Sequence, residues 1–479
     1  MLFNSFTFLL FFSVVFSIYW FVFPNRLKLQ NAFLLLASYV FYGWWSWKFL
    51  VLKSLSSLFG FSAGYLIGRT ENANHRKLFL VISVVANLVF LGVFKYYNFF
   101  VSSFAEMLSL FGMHVDAMTL NILLPIGISF YTFHNISYVI DVYRKELKPT
   151  EDMIAYFSFI SFFPQLVSGP IMKAKDFLPQ FLKKRTFDEQ RAVEGLRFIL
   201  WGYFKKVVIA DGCAVFANAI FDSYTTQPAS VLLLGVLYFA IQIYGDFSGY
   251  TDIAIGLGKL FGFEFTLNFK TPYFSRTIPE FWKRWHISLT SWFRDYIYIP
   301  LGGNRGGKWI AFRNIFIVFL LSGLWHGANW TFIVWGVLYA LLYIPSIFNP
   351  EKEKLSPYIG YQKTLPSIKE SLEMLVTFVL VCIAWVFFRS PSIHAAIDYF
   401  KAIATHSFSP KGYYFFSPFH MLPILVFFFG MEWFNRDKDC QLYLPFRKEY
   451  RWLSYALILL AILFHVNFHK ASEFIYFQF

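Results

Sequence analysis

Charge is scarce in this chain. Asp, Glu, Lys and Arg make up 15% of its 479 residues, against about 25% in soluble domains. Cysteine is scarcer still: Cys213, Cys382 and Cys440 stand without CxxC spacing, so there is no disulfide framework and no zinc site to read. Cys213 and Cys382 lie in apolar stretches, where a thiol packs as a small hydrophobe. No Lys or Arg precedes the first apolar run, whereas Arg26 and Lys28 follow it, which excludes a cleaved signal with a basic n-region. Internal repeats and low-complexity tracts are also missing, which removes the inverted-repeat signature of many secondary transporters.

What the chain has in plenty is apolar surface. Hydrophobic residues make up 57% of it, 65 of them Phe, and the mean hydropathy is +0.51. An excess spread over the whole length cannot be one anchor on a soluble head. The runs 6–23, 31–47, 78–94, 122–142, 231–243, 314–342, 372–388 and 453–466 are each candidates to cross a bilayer, which takes about 20 residues of helix. Weaker candidates at 55–67, 154–167, 197–220 and 419–434 bring the expected total to roughly ten to twelve spans. The expectation is an all-α polytopic membrane protein with a single domain over 1–479.

Basic residues outnumber acidic ones by 42 to 28, a net charge of +14, and they cluster between apolar runs. Arg26 and Lys28, then Arg69, Arg76 and Lys77, then Arg144, Lys145 and Lys148 alternate as the positive-inside rule requires. That order puts the N-terminus outside, with Lys48 and Lys53 as opposing charges on the outer side. Arg447, Lys448 and Arg451 before the last run place its end, and the C-terminus, outside as well. In a polytopic chain such basicity suits anionic lipid heads or a phosphate-bearing cytosolic substrate rather than nucleic acid.

Three polar places stand out. The segment 270–313 mixes Arg276, Lys283, Arg284, Arg294, Arg305 and Lys308 with a dense set of aromatic rings, the composition of interfacial or re-entrant helices. In the run around 242–252, Gln242, Asp246 and Tyr250 share a helical face, and Gly245 and Gly249 form a small-xxx-small pair. This stripe reads as a packing seam, with Asp246 expected to pair with a cation of the basic segment, since an unpaired buried carboxylate would be protonated. The third place is His326, midway through the run 314–342, between small residues and flanked by Trp325 and Trp330. Imidazole titrates near neutrality and can take a hydroxyl proton during acyl transfer. His286 in the aromatic segment is its natural companion; two histidines alone could equally ligate haem iron, but the other histidines are too dispersed to complete a four-coordinate metal site.

Residues 281–288, 292–305 and 323–330, with 244–256, 168–170, 41–44 and 474–479, closely resemble the signature of the membrane-bound O-acyltransferases. More narrowly, the chain resembles the membrane subunits of bacterial alginate O-acetyltransferases. The resemblance implies a ring of helices around a thin centre, with a signature core at about 241–345. It makes His326 the catalytic residue and His286 the second signature histidine. Trp325, Asn329, Asp246, Lys283, Arg284 and Arg305 are then expected to support the site or bind the donor. It further implies acetyl-CoA as acyl donor, no permanently bound cofactor or metal, and a place in the bacterial inner membrane. The acceptor it implies is an exported polysaccharide or cell-wall glycan, and an export-side SGNH-type acetyltransferase is the expected partner, docked through Phe474, Tyr476, Phe477 and Phe479. The alternatives are D-alanyl transfer from a carrier protein toward teichoic acid and, from another class, a transporter or channel in which His326 relays protons.

Overall fold

The computed structural model describes residues 1–120, 123–166, 169–349, 356–409, 421–466 and 474–475. Among them every regular element is helical. Six helices are long and apolar enough to cross a membrane: Trp47–Arg69, Ala73–Leu110, Ala229–Leu260, Lys308–His326, Trp330–Phe348 and Ile368–Arg389. The protein is therefore a multi-pass, all-α membrane protein. Other apolar runs make shorter helices for local reasons. The described part of the run at 122–142 becomes helical at Ile128 and continues to Tyr143, a helix of 16 residues, because Pro125 and the left-handed Gly127 (φ 73°) precede it. The Met421–Phe434 helix has 14 residues.

The described chain gathers into two compact units. The first comprises Met1–Ala192 and Leu257–Thr266, the second Val193–Gly256 and Leu267–Phe479. Phenylalanine fills the first. Phe162, Phe177, Phe181 and Phe263 stack with ring centroids 4.6 to 6.0 Å apart, the separation at which aromatic pairs attract beyond their area burial. Lys53 also belongs to this interior. It is buried, its Nζ donates to Ser161 Oγ at 2.5 Å, and Tyr39 and Tyr42 lie beneath it at 5.7 and 5.5 Å. It is a core cation and not the interface charge that its position between apolar runs suggested.

The second unit is built on Ala229–Leu260, whose most apolar stretch is 67% buried against 17 to 39% for the other five spans. Its polar stripe meets a π-helical segment, Phe204–Ala210, set between the helices Glu189–Tyr203 and Asp211–Asp222. The wider π turn shifts the register, so that the consecutive residues Lys205 and Lys206 are both buried. Lys206 Nζ reaches Asp246 at 2.5 Å and Asp211 at 2.8 Å. Lys205 Nζ reaches Asp252 at 3.0 Å and Glu432 at 3.6 Å. The expected partner of Asp246, a cation from segment 270–313, is thus corrected to Lys206. Gly249 makes the approach possible, since a Cβ there would lie 2.7 Å from the Gly202 carbonyl oxygen and 2.9 Å from the Lys206 nitrogen.

Candidate active site

The apolar run 314–342 is not one helix. It breaks into Lys308–His326 and Trp330–Leu342, which pack tightly as a hairpin. A Cβ on Gly323 would lie 2.3 Å from the Phe332 carbonyl oxygen, and one on Gly336 would lie 2.4 Å from that of Phe319. Asn329 starts the second helix, its Oδ1 accepting from Thr331 N–H at 2.9 Å as an N-cap does. Its Nδ2 donates to the Pro391 carbonyl at 3.0 Å. His326 therefore closes a helix beside the hairpin turn, where the sequence suggested mid-helix, yet it is only 4% exposed. Trp335 stands edge-on to its ring at 4.9 Å, Phe388 at 5.3 Å and Trp325 at 5.0 Å. The capping box of Ser367 and Glu370 begins the Ile368–Arg389 helix that delivers Phe388.

His286 sits between two short helices, Ile278–Arg284 and Ile287–Phe293, with φ 44°. A positive φ is uncommon for a residue with a Cβ, and Asn268 fixes it. Asn268 Oδ1 accepts from Ser288 N–H at 3.1 Å and from Ser288 Oγ at 2.8 Å, and faces His286 Nδ1 at 3.0 Å. The Asn268 carbonyl accepts from Ile287 N–H at 2.9 Å. Because a backbone N–H can only donate, Oδ1 is the acceptor here, so His286 Nδ1 carries the hydrogen and Nε2 is the basic nitrogen. Nε2 is buried and has no protein partner among the described residues. Burial pushes the His286 imidazole down to about 3, so the ring is neutral at physiological pH.

The two histidines share one ring. Trp325 lies 5.7 Å from His286 and 5.0 Å from His326. Phe247, the chain neighbour of Asp246, stands edge-on to His286 at 4.7 Å. The structure thus brings His286, Trp325 and His326 together, with Asp246 one residue removed. The other expected site residues divide. Lys283 and Arg305 are exposed. Arg284 is buried, its Nη2 donating to Glu280 Oε1 at 2.8 Å and to the Pro357 carbonyl at 3.0 Å. With Arg276 it brackets Glu280: burial pushes that carboxyl up, but hydrogen bonds from Arg276 and the two guanidinium charges hold it below its ordinary value. Arg284 is thus held as a buried cation by Glu280 and the Pro357 carbonyl.

Phe474 corrects another expectation. It is 1% exposed, packed 4.9 Å from Tyr250 and 5.5 Å from Phe247, and the next residue, Ile475, donates its N–H to Asp246 Oδ2 at 2.7 Å. Tyr476, Phe477 and Phe479 lie outside the described residues. Asn268, Trp335 and Phe388 escaped the sequence reading. Asn268, an amide among apolar neighbours in Leu267-Asn268-Phe269, carried a signal; the two rings carried none.

Comparison with known proteins identifies the family. The signature of the membrane-bound O-acyltransferase family matches residues 145–349. The chain is 42% identical over 414 residues to a protein of Pseudomonas aeruginosa named probable alginate O-acetylase AlgI, covering 84% of this chain and 75% of that one. It is 36% identical over 400 residues to the peptidoglycan O-acetyltransferase of Helicobacter pylori, covering 78% and 73%. The teichoic acid D-alanyltransferase of Bacillus subtilis matches at 30% over 285 residues, 57% of this chain and 71% of its own. The chain belongs to the membrane-bound O-acyltransferase family. As a member of that family it is an enzyme of acyl transfer to oxygen. Among the described residues no group of three or more His, Cys, Asp or Glu side chains is placed to hold a metal.

Proposed function

We propose that this enzyme transfers an acetyl group from a cytosolic acetyl-CoA to a hydroxyl of an exported polysaccharide or cell-wall glycan, with His326 as general base. The observation that carries this reading is the His326 ring, buried beside a hairpin turn and joined through Trp325 to a neutral His286, in a chain most of whose length matches O-acetylating relatives. His326 takes the acceptor's proton as its oxygen bonds the thioester carbonyl carbon; the carbon–sulfur bond then breaks and the thiolate receives the proton. An acyl-enzyme would divide the same chemistry into two steps.

The D-alanyl alternative has the lower identity and the shorter match, which favours acetyl. The reading places the chain in a bacterial inner membrane as a ring of about ten to twelve crossing helices, both termini outside, with an export-side SGNH-type acetyltransferase as partner. The test is the purified protein in lipid nanodiscs with radiolabelled acetyl-CoA and a glycan acceptor. Label in the glycan supports the reading; label that never leaves the thioester refutes it.

A further inference from the structure

A cavity of about 590 Å3 lies apart from the histidine pair, lined by Thr225, Thr226, Gln227, His406, Ser407 and Ser409. Two segments form it: the loop that enters the Ala229–Leu260 helix and the chain that leaves the Ile393–Thr405 helix. They are tied together where they meet. Ala229 N–H donates to the Ser407 carbonyl at 3.0 Å, and the Gln227 carbonyl faces His406 Nδ1 at 2.7 Å. A carbonyl only accepts, so His406 Nδ1 carries the hydrogen and Nε2 of the neutral ring is an acceptor. Gln227 is 8% exposed. Its Nε2 donates to Ser223 Oγ at 2.7 Å, whereas its Oε1 is buried with no donor among the described residues. A buried acceptor left without a partner costs about 1–3 kcal/mol, so a guest that brings a donor would restore what the fold gives up.

The position of the cavity bears on what the guest is. Pro391, whose carbonyl accepts from Asn329 of the catalytic hairpin turn, stands just before Ser392, the N-cap of the Ile393–Thr405 helix. The cavity is at the other end of that helix, which has 13 residues and is therefore about 20 Å long. Arg305, Lys308 and Arg313 gather at the end of the Lys308–His326 helix away from the hairpin turn. By the positive-inside rule that end is cytosolic, so the hairpin turn and the helix that starts beside it belong to the export side.

The chemistry of the walls narrows the guest further. No Asp, Glu, Lys or Arg is among the described residues that line the cavity, so it offers no countercharge to a phosphate, a carboxylate or a cation leaving water. Hydroxyls, an amide oxygen and an imidazole nitrogen suit a neutral ligand dense in O–H and N–H groups. We propose that this cavity is a remote acceptor subsite that holds a neutral sugar unit of an exported glycan, Gln227 Oε1 accepting from a sugar hydroxyl or an N-acetyl N–H, while a unit further along the same chain reaches His326. A single sugar cannot span a helix length, so the subsite serves polymeric acceptors. The proposal rests on the acyl-transfer reading above and adds to it the class of acceptor: a chain whose bound unit carries no charge.

The experiment measures binding of fluorescently labelled oligosaccharides to the full chain in nanodiscs, with no acyl donor present. The probes are an N-acetylglucosamine oligosaccharide, which is neutral, and a mannuronate oligosaccharide of the same length, which is anionic. The parent is expected to bind the neutral probe at least about tenfold more tightly. Gln227→Met keeps the length of the side chain and removes the acceptor, and is expected to weaken binding by up to about tenfold, the worth of one neutral hydrogen bond. Thr225→Trp, at an exposed position, fills the cavity with an indole and is expected to abolish binding at the parental melting temperature. Absence of binding by the parent, or equal binding of the mannuronate probe, overturns the proposal. Binding that neither variant weakens places the sugar elsewhere and overturns it as well. Because binding is read without acyl transfer, the two readings fail separately: a parent that binds the neutral probe through this cavity but never acetylates a glycan keeps the sugar site and loses the acyl-transfer reading.

Discussion

Asn268 decides which nitrogen of His286 is basic, because its Oδ1 takes the Ser288 donors and faces Nδ1. Asn268→Ala strands those donors in a buried place, at about 1–3 kcal/mol each, and frees the ring to change tautomer. We expect a lower melting temperature and an activity close to that of His286→Ala; wild-type activity in Asn268→Ala would show that the tautomer does not matter. The same burial makes a pH prediction. The His286 value of about 3 in the fold lies below the ordinary 6.5, so between those values the unfolded chain binds the extra proton and stability is lost as pH falls. The parent should lose melting temperature between pH 7 and 5, and His286→Gln should lose less. Asp246 and Lys206 form the other residue-scale test. Asp246→Asn retains an acceptor for Ile475 N–H, and Lys206 keeps Asp211, so this variant should fold with partial activity. Lys206→Met leaves Asp246 buried without its cation and should cost about 3–5 kcal/mol, read as a melting shift. The polar stripe of Asp246 was legible in the sequence, because carboxylates in an apolar run are conspicuous. Its partner was not, because pairing depends on a π turn that no residue pattern announces.

At the scale of elements, the sequence marked apolar runs well and their interruptions poorly. His326 was visible as a histidine between small residues, but Gly327 and Asn329 read as helix interior, while in the fold they make the turn that puts His326 at a helix end. The hairpin depends on Gly323, whose missing Cβ admits the Phe332 carbonyl. Gly323→Ala should therefore destabilise by about 1–3 kcal/mol, as overpacking does. Gly430 is its control, since a Cβ there meets nothing within 4 Å and Ala favours a helix by up to about 1 kcal/mol. Equal melting temperatures for the two variants would contradict the close packing of the hairpin.

For the whole molecule, composition gave the class, a polytopic helical protein, since 57% hydrophobic residues have no other solvent than lipid. It could not give the helix lengths, because Pro125 and Gly127 delay a helix in a way hydropathy does not register. Nor could it tell that Phe474 turns inward, as burial of a terminal ring is decided by the Tyr250 and Phe247 surface awaiting it. Removing 474–479 exposes that surface and takes the Ile475 donor from Asp246, so a lowered melting temperature is expected along with lost activity. The central claim is that His326 performs proton transfer in an acyltransferase. The most direct measurement compares glycan acetylation by the parent and His326→Ala, purified into nanodiscs and matched for melting temperature. A fall of about 10²- to 10⁴-fold with the fold intact is the predicted result, and parental activity in His326→Ala would contradict it.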